Sequence, residues 1–260
     1  MLKPYAEGYV ETPQVGKIRL PSDEQPHKSL DAKVNRLNRS FENASAEFLL
    51  EHVLTNEFPD KTALVSSFGT EAAILLHMIS RINPDLDVIF INTGKLFTLT
   101  LKYRDLLVER FGLTNVKEVR PKLDDLEKYD PNGDLWMNDV DACCHIRKVK
   151  PNNNAVSEFT CLISGRKRYH GASRVTLKKF ELSEGQIKVN PLAYWERAQI
   201  NSYFEKHGIP PHPLLERGYL SVGCHHCSSP SFDPSNPRSG RWTGKDKTEC
   251  GIHLPGNTQN

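Results

Sequence analysis

Six cysteines carry the clearest chemical signal in this sequence. Cys143 and Cys144 are adjacent, and Cys224 and Cys227 form a C-x-x-C pair, so the two pairs together supply four thiolates. Four thiolates are the ligand set of a structural zinc ion and also of a 4Fe-4S cluster. Neighbouring helical residues point about 100° apart, at about 3.6 residues per turn, so both cysteines of the adjacent pair can reach one centre. The spacing therefore predicts a shared metal centre and does not choose between zinc and iron–sulfur.

The other two cysteines have contrasting surroundings. Cys161 lies in an apolar run and is predicted to be a small core residue. Cys250 lies in the segment KTECGIH among cationic side chains, which favour the thiolate, the nucleophilic form of cysteine. We therefore predict that Cys250 is a reactive nucleophile, the alternative being a cysteine that is exposed by accident. The cations around it are Arg238, Arg241, Lys245, Lys247 and His253.

Three segments rich in small or basic residues each follow a predicted strand. The first, SSFGTEA at residues 66–72, can aim free backbone N–H groups at an anion where a helix begins. The second, INTGKLF at residues 91–97, is another small-residue turn with a lysine. The third, ISGRKRYHGASR at residues 163–174, carries arginines that can bind phosphate or sulfate through paired hydrogen bonds. We interpret the three as one nucleotide cleft; capped turns and a solvated basic loop are the alternatives.

The elements that must position these residues alternate between strands and helices. Such alternation predicts an α/β fold with a mostly parallel twisted sheet covered by helices on both faces. Ligands of these sheets bind at the carboxyl ends of the strands, where the three segments lie. The predicted strands are residues 63–68, 87–92, 116–121, 160–165 and 186–192. The predicted helices are residues 70–81, 98–111, 139–149 and 196–207, with one or two more across residues 30–58.

Composition divides the chain into three regions. Residues 1–30 mix proline, glycine and charges without a helical or strand period, which predicts an extended or disordered arm. Residues 31–235 are predicted to form one nucleotide-binding domain that carries the metal centre. Beyond Gly208 the chain is rich in proline, glycine, serine and arginine, which indicates irregular structure. Residues 236–260 are predicted to be a mobile C-terminal segment that carries Cys250.

The overall charge and hydropathy exclude several classes of protein. Lys and Arg number 34 against 32 Asp and Glu, so the net charge of +2 produces no large field that would attract nucleic acid or anionic lipid. The longest apolar runs are far shorter than the roughly 20 residues of a membrane-spanning helix. The first residues lack the pattern of a secretory signal, so we expect a reducing cytoplasm. There, cysteines indicate metal binding or catalysis before disulfides.

Eight motifs in the same order resemble those of the assimilatory sulfonucleotide reductases, the adenylylsulfate (APS) and phosphoadenylylsulfate (PAPS) reductase family. The resemblance runs over about residues 41–253, and the ECG-x-H ending together with the paired cysteines is highly specific. It implies an adenine-nucleotide alpha-hydrolase-like fold, related to the PP-loop ATP pyrophosphatases, with an irregular C-terminal tail. The motifs are SSFGTEAAILLH, INTGKLF, CCHIRKVKP, ISGRKRYHGASR, NPLAYW, IPPHPLLERGY, SVGCHHC and RSGRWTGKDKTECGIH.

The resemblance also implies a role for each matching residue. In this family the two cysteine pairs hold a 4Fe-4S cluster, and the lysine that matches Lys148 links the cluster to the substrate electrostatically. Cys250 matches the nucleophile, and His253 is its catalytic neighbour in the ECG-x-H motif. The implied substrate-binding residues are Ser66, Ser67, Phe68, Gly69, Thr70 and Glu71 in a modified P-loop, Asn92, Thr93, Gly94 and Lys95 in a second turn, Gly165 and Arg166 in an arginine loop, and Arg238 and Arg241 over the phosphosulfate.

The implied activity is the reduction of APS to sulfite and AMP in sulfate assimilation, which supplies cysteine biosynthesis. An S-sulfonated Cys250 would be the intermediate, and an external thioredoxin or glutaredoxin would reduce it, because no thioredoxin-like domain follows the ECG-x-H segment. A homo-oligomer that binds neither nucleic acid nor membrane is expected. The chain departs from the usual motifs at Asn92, where the family usually has Asp, and around the C-x-x-C pair, where His225, His226, Ser228 and Ser229 stand.

Three other functions are considered. A PAPS reductase, or one that uses both nucleotides, is the nearest, but family members of that kind generally lack the two cysteine pairs. A tRNA-thiolating PP-loop enzyme would need an SGG-x-DS loop, and SSFGTE lacks both the second glycine and the Asp-Ser. A zinc-stabilised nucleotide-binding module leaves Cys250 and its cations unexplained. His225 and His226 could be metal ligands, but with four thiolates at hand we expect them at the surface or beside the ligands.

Overall fold

The computed structural model describes residues 26–253 as an α/β structure around a six-stranded sheet. The strand order is β3-β2-β1-β4-β6-β5, and every neighbouring pair is parallel except β5 with β6. The carboxyl ends of β2, β1 and β4 therefore lie side by side in the middle of the sheet. The strands are β1 (Thr62–Val65), β2 (Asp87–Ile91), β3 (Val116–Val119), β4 (Cys161–Ser164), β5 (Phe180–Ser183) and β6 (Gln186–Val189).

Nine α-helices are present in this part of the chain. Single π-helical turns extend two of them: Val53–Glu57 follows α2, and His145–Val149 joins α7 to α8. Beyond α9 the described backbone has only three-residue 3-10 turns and isolated bridges. The helices are α1 (Pro26–Ser40), α2 (Ala46–His52), α3 (Ala73–Ser80), α4 (Thr98–Phe111), α5 (Leu123–Tyr129), α6 (Leu135–Asn138), α7 (Val140–Cys144), α8 (Lys150–Val156) and α9 (Arg197–His207).

Side chains that alternate along the strands build one core on each face of the sheet. Leu64 and Val88 point to the larger core, which α1 to α4 and α9 cover with residues such as Tyr103. Ala63 and Ile89 point to a smaller core on the other face, where α8 contributes Val156. Both faces of the central strands β1, β2 and β4 are largely buried, as their apolar runs predict, whereas the middle of the edge strand β3 is charged and exposed.

The structure confirms the predicted alternation of strands and helices and extends it. The helix that carries the paired cysteines does not end at residue 149 but continues through α8, because the π-helical turn leads directly into it. Sequence reasoning missed β5, a short edge strand of mixed polarity whose backbone at Phe180 is hydrogen-bonded by Asn38 of α1. It also missed α5 and α6.

The predicted terminal regions lie partly outside the described residues. Of the predicted arm of residues 1–30, only the last five residues are described, and they belong to α1, which begins at Pro26. Of the predicted segment 236–260, residues 236–253 are described; their backbone is irregular and packs against the sheet edge where the strands end. No helix between residues 26 and 253 is long and apolar enough to cross a membrane.

Candidate functional site

A cleft of about 230 Å³ opens at the carboxyl ends of β1, β2 and β4. The turn after β1 forms one wall with Ser66, Ser67, Gly69, Thr70 and Glu71. Ser66 continues the sheet, since its backbone N–H donates to Ile89 at 3.0 Å, and its Oγ accepts the N–H of Phe68 at 3.3 Å. The turn ends where α3 begins, so its anion-binding potential lies in the cleft.

Phe68 anchors this turn and does not line the cleft. Its φ is +48°, a conformation that a bulky side chain rarely adopts. Its ring is fully buried and packs edge-on against Phe90 of β2, 5.2 Å between centroids. This apolar contact holds the strained residue in place, so Phe68 supports the turn from the core instead of contacting a ligand through its side chain.

Glu71 ties the turn to the loop that follows β4. Its buried carboxylate pairs with Lys167 at 3.0 Å, His170 at 3.1 Å and Arg197 at 2.9 Å. Tyr169 also donates a hydrogen bond to it. Burial opposes the charged form, but these cations and donors outweigh it and hold the pKa of Glu71 well below its usual range. Glu71 is therefore a charged organiser of the cleft wall.

The turn after β2 contributes Thr93 to the cleft, whereas the other three predicted residues shape the turn. The buried Asn92 donates to Glu118 at 3.0 Å and accepts the N–H of Gly94 at 3.1 Å. Gly94 has φ +72°, which glycine adopts without strain. Lys95 points away from the cleft and donates to the carbonyl of Gly133 at 2.5 Å. Asn92, Gly94 and Lys95 therefore do not line the cleft with their side chains.

Arginines from two regions of the chain face the cleft. Gly165 and Arg166 follow β4; Arg166 pairs with Glu181, and its Nε is buried without a hydrogen-bond partner among the described residues. Arg238 and Arg241 come from the C-terminal segment and lie over the Trp242 ring. Burial and the nearby charges of Arg174 and Arg241 lower the pKa of Arg238 to about 10, which is the signature of crowded cations. Such a group of cations favours an anionic ligand.

The two cysteine pairs meet at a second, smaller cavity next to the cleft. Asp139 caps the start of α7 by accepting the N–H of Ala142 at 2.8 Å, which places the adjacent pair at the end of that helix. The C-x-x-C loop is held against the turn after β2, because His225 donates its N–H to the carbonyl of Lys95 at 2.8 Å. The cavity-lining cysteines are Cys143, Cys144, Cys224 and Cys227, all buried and free.

The thiols of this cluster titrate differently. Burial, with the neighbouring Cys144 and Cys224, raises the pKa of Cys143 to about 12. Burial also raises the pKa of Cys224, but Lys148 and the hydroxyl of Thr93, 3.2 Å from its sulfur, outweigh this effect and lower it overall. Crowded thiols of this kind are deprotonated when a metal binds them.

The four buried thiols of the cysteine cavity are the donor set of a 4Fe-4S cluster and also of a zinc ion. Nowhere in residues 26–253 do three Cys, His, Asp or Glu side chains converge closely enough to hold one metal ion. A zinc ion needs its sulfurs about 2.3 Å from one point, whereas each thiolate of a 4Fe-4S cluster binds its own iron. The buried Nε1 of Trp242, which packs against Cys224 and Cys227, has no hydrogen-bond partner in the described structure and could donate to a cluster sulfide.

Among residues 26–253, Lys148 is the residue that lines both the cleft and the cysteine cavity. It lies in the π-helical turn after α7 and is 8% exposed. Burial opposes its charge, but the sulfurs of Cys224, Cys250 and Cys144 outweigh burial and raise its pKa above the usual range. Lys148 is thus a buried cation between the cleft and the cysteines.

Cys250 and His253 both line the cleft. Cys250 is partly exposed and packs against the group formed by Cys224, Cys227 and Trp242. Burial and the charges of the surrounding arginines, Arg166 first among them, hold the pKa of His253 well below its usual range, so its imidazole is neutral. The structure therefore brings the predicted nucleophile to the predicted nucleotide turns.

Cys161, His225 and His226 do not line the cleft, although His226 lines the cysteine cavity. Cys161 is fully buried in the core, where burial raises its pKa to about 12. His225 and His226 are exposed, and His226 stacks on Trp136 with 4.1 Å between ring centroids.

Sequence reasoning missed two residues that organise the site. Arg147 is buried and donates to Asp130 at 2.5 and 2.7 Å and to the carbonyl of Thr93 at 3.0 Å, so it links the cysteine helix to the turn after β2. Glu249 is buried and pairs with Arg174. Arg147 precedes Lys148 and Glu249 precedes Cys250 in the sequence. This adjacency to predicted functional residues was the signal by which they could have been found.

Comparisons with known proteins agree with this geometry. The family model described as "Phosphoadenosine phosphosulfate reductase domain" matches residues 61–230. The adenosine 5'-phosphosulfate reductase of Mesorhizobium japonicum is 45% identical over 208 residues, which cover 80% of this chain and 82% of that protein. The protein of the same name from Chelativorans sp. is 42% identical over 233 residues, covering 88% and 95% of the two chains.

A solved structure is similar as well. The phosphoadenylyl-sulfate reductase of Candida auris, crystallised with phosphate, is 26% identical and superposes with a TM-score of 0.65 over 81% of this chain and 98% of that one. The sheet order and the turns at its carboxyl edge define an adenine-nucleotide alpha-hydrolase-like fold, which confirms the predicted fold class. The chain belongs to the phosphoadenosine phosphosulfate reductase family and is an oxidoreductase.

Proposed function

We propose that this protein reduces adenosine 5'-phosphosulfate (APS) to sulfite and AMP in sulfate assimilation, with Cys250 as the nucleophile. The observation that carries the proposal is the position of Cys250, which lines the same cleft as the turns after β1 and β4 and the side chains of Arg238 and Arg241. The two relatives from Mesorhizobium and Chelativorans, both named as reductases of this nucleotide, support the choice of substrate.

The cleft suits a phosphosulfate. APS carries negative charge on both its phosphate and its sulfonyl group, and this charge repels an attacking thiolate. Lys148 and Arg241 line the cleft and form no ion pair with a carboxylate among the described residues, so their charges are available to the ligand. Cations placed before the reaction stabilise the charge that develops on the leaving phosphate.

The proposed first step is a nucleophilic displacement at sulfur. The Cys250 thiolate attacks the sulfonyl sulfur, an S–S bond forms, and the S–O bond to the phosphate breaks with its electron pair leaving on AMP. The product is S-sulfonated Cys250. An external dithiol then attacks Cys250 Sγ, sulfite leaves, and the second thiol of the reductant releases Cys250 as the reductant becomes a disulfide. Thioredoxin or glutaredoxin is the proposed reductant.

We further propose that Cys143, Cys144, Cys224 and Cys227 hold a 4Fe-4S cluster. The cluster, when bound, supplies a local charge that tunes the electrostatics of the cleft. Lys148 is buried between the cysteines and the cleft, so surrounding residues restrict its side chain to a position where it can contact the ligand. Six free cysteines and the need for a thiol reductant support a reducing cytoplasm as the location.

The proposed intermediate can be trapped. Incubating the anaerobically purified holoenzyme with APS and no reductant should leave one SO₃ group on the protein, because nothing is present to release it. Peptide mass spectrometry should place it on the peptide KTECGIH, and added thioredoxin should release sulfite in equal amount. The absence of any covalent adduct in the holoenzyme would contradict the proposed function.

A clear preference for APS over PAPS is also expected. PAPS carries an additional 3'-phosphate, whose charge needs a cation when it leaves water. We expect kcat/KM for APS to exceed that for PAPS by about 100-fold or more, measured by sulfite release with thioredoxin. Similar values would indicate an enzyme that uses both nucleotides. The charges of four cleft-lining cations are already matched by carboxylates and are therefore less available to a 3'-phosphate. These cations are Arg166, Lys167, Arg174 and Arg238.

A further inference from the structure

Glu249, the residue before the proposed nucleophile, is a buried carboxylate in the cleft. It accepts hydrogen bonds from Arg174 Nε at 2.5 Å and Arg174 Nη2 at 2.9 Å. This is the paired geometry in which a guanidinium also binds phosphate or sulfate. Arg238 Nη2 lies 3.4 Å from the same carboxylate. Burial opposes the charge of Glu249, but the arginines outweigh it and keep its pKa below the usual value.

The two arginines connect Glu249 to separate parts of the chain. Arg174 is the last residue of a 3-10 turn in the loop after β4. Arg238 belongs to the C-terminal segment, where its guanidinium lies over the Trp242 ring. Arg238 also donates to the carbonyl of Thr248 at 2.7 Å. Residues 248 and 249 are thus both held by arginines of the cleft. Because Cys250 follows them directly, these contacts determine where its sulfur lies.

We infer that Glu249 is a positioning residue for Cys250 and that its carboxylate competes with the anionic group of the substrate for Arg174 and Arg238. This inference rests on the proposed function, because it takes Cys250 as the nucleophile and a phosphosulfate as the ligand. Glu249 is an internal anion in the cleft. It holds the nucleophile near the sulfonyl position and lowers the affinity for the substrate in doing so.

The competition follows from charge. A carboxylate and the oxygens of a sulfonyl or phosphate group bind the same guanidinium donors, so an entering anion must share or displace Glu249. Replacing Glu249 with glutamine leaves buried cations without their counter-charge, and these cations then bind an external anion more strongly. The same replacement loosens the two residues before Cys250. Affinity and reaction rate should therefore change in opposite directions, which loss of structure alone would not produce.

The affinity is measured where no reaction can occur. In a Cys250→Ser background, isothermal calorimetry compares APS binding to the holoenzyme with and without Glu249→Gln. We expect Glu249→Gln to tighten APS binding by about tenfold. Unchanged or weaker binding would overturn the competition.

The reaction rate is measured in the Cys250 enzyme with saturating APS and no reductant. Quenched samples analysed by mass spectrometry report how fast the adduct forms. We expect Glu249→Gln to slow adduct formation by about tenfold or more, because a misplaced nucleophile reaches the sulfur less often. Glu249→Asp keeps the charge but is one methylene shorter, so it should retain the affinity of the parent enzyme and give an intermediate rate. A rate equal to that of the parent for both variants would overturn the positioning role.

Asp246→Asn is the matched control. It removes the same charge from the same segment, but Asp246 is exposed. The APS affinity and adduct rate of Asp246→Asn should equal those of the parent enzyme. A change as large as that caused by Glu249→Gln would show that any charge in the segment has the same effect, and it would overturn the inference. The proposed function fails separately, since it requires an adduct in the parent enzyme. If the parent enzyme forms the adduct and the Glu249 variants match it in APS affinity and adduct rate, the inference is wrong while the proposed function stands.

Discussion

Cys250→Ser is expected to abolish sulfite release while the protein still binds APS. Serine is nearly the same size as cysteine, but its hydroxyl stays protonated and does not attack the sulfonyl sulfur at neutral pH. Removal of a catalytic nucleophile commonly reduces kcat by roughly 10⁴-fold or more. The measurement is thioredoxin-dependent sulfite release from the holoenzyme, with APS affinity determined by calorimetry on the same preparation.

The specificity of this result needs a second cysteine. Cys161→Ala removes a thiol that is fully buried in the core, at a cost of about 1 kcal/mol or more in unfolding free energy. It should release sulfite at the parent rate per folded molecule, because Cys161 lies in β4 and does not line the cleft. Undiminished sulfite release by Cys250→Ser, or an adduct that maps to Cys161, would contradict the mechanism.

Serine at any one of the four cavity-lining cysteines is expected to remove the iron and acid-labile sulfide from the protein. A cluster with three thiolates in a partly open cavity loses iron readily, and its visible absorption should disappear. Metal binding also contributes to folding free energy, so these variants should unfold at lower temperature than the holoenzyme. The measurements are iron and sulfide analysis, the absorption spectrum and thermal unfolding of anaerobically purified protein. The cysteines tested are Cys143, Cys144, Cys224 and Cys227.

The matched control for the iron analysis is Cys250→Ser. Cys250 packs beside the cysteine cavity but does not line it, so this variant should keep its full iron and sulfide. A variant of one cavity-lining cysteine that retains full iron would show that this residue is not a ligand. Colourless parent protein with zinc would contradict the cluster and favour a zinc-stabilised nucleotide-binding module.

Lys148 connects the cleft and the cysteine cavity, because its side chain lines both. A buried lysine is costly unless negative charge lies nearby, and here Lys148 lies beside the sulfur of Cys224, whose pKa is lowered. Arg147, its neighbour, is held by Asp130 and by the carbonyl of Thr93. The π-helical turn places both basic residues inward from one short segment. The turn after β2, the cysteine helix and the cleft that Cys250 lines therefore meet at two neighbouring buried cations, Arg147 and Lys148.

The alternation of apolar runs with helical patterns was sufficient to predict the parallel sheet. Each predicted strand is present, and the helix of residues 98–111 has the predicted bounds. The central strands β1, β2 and β4 are largely apolar because both of their faces are buried. The short edge strand β5 was not predictable in this way. It is a four-residue strand of mixed polarity, and its hydrogen bonds come from β6 and from Asn38, which is 142 residues away from Phe180 in sequence.

Residue types and their spacing were enough to identify the reactive groups: four paired thiols, one thiol among cations, and small-residue turns after buried strands. Residue type and local spacing carry this information, since thiolate chemistry and strand-end turns depend on nearby residues. Which of these groups meet is set by the packing of the folded chain. It turned Lys95 and Asn92 away from the cleft, placed Lys148 between two cavities, and paired Glu249 with Arg174 across 75 residues. Such contacts depend on how distant segments pack. The partner of a buried charge can therefore be identified only in the folded chain.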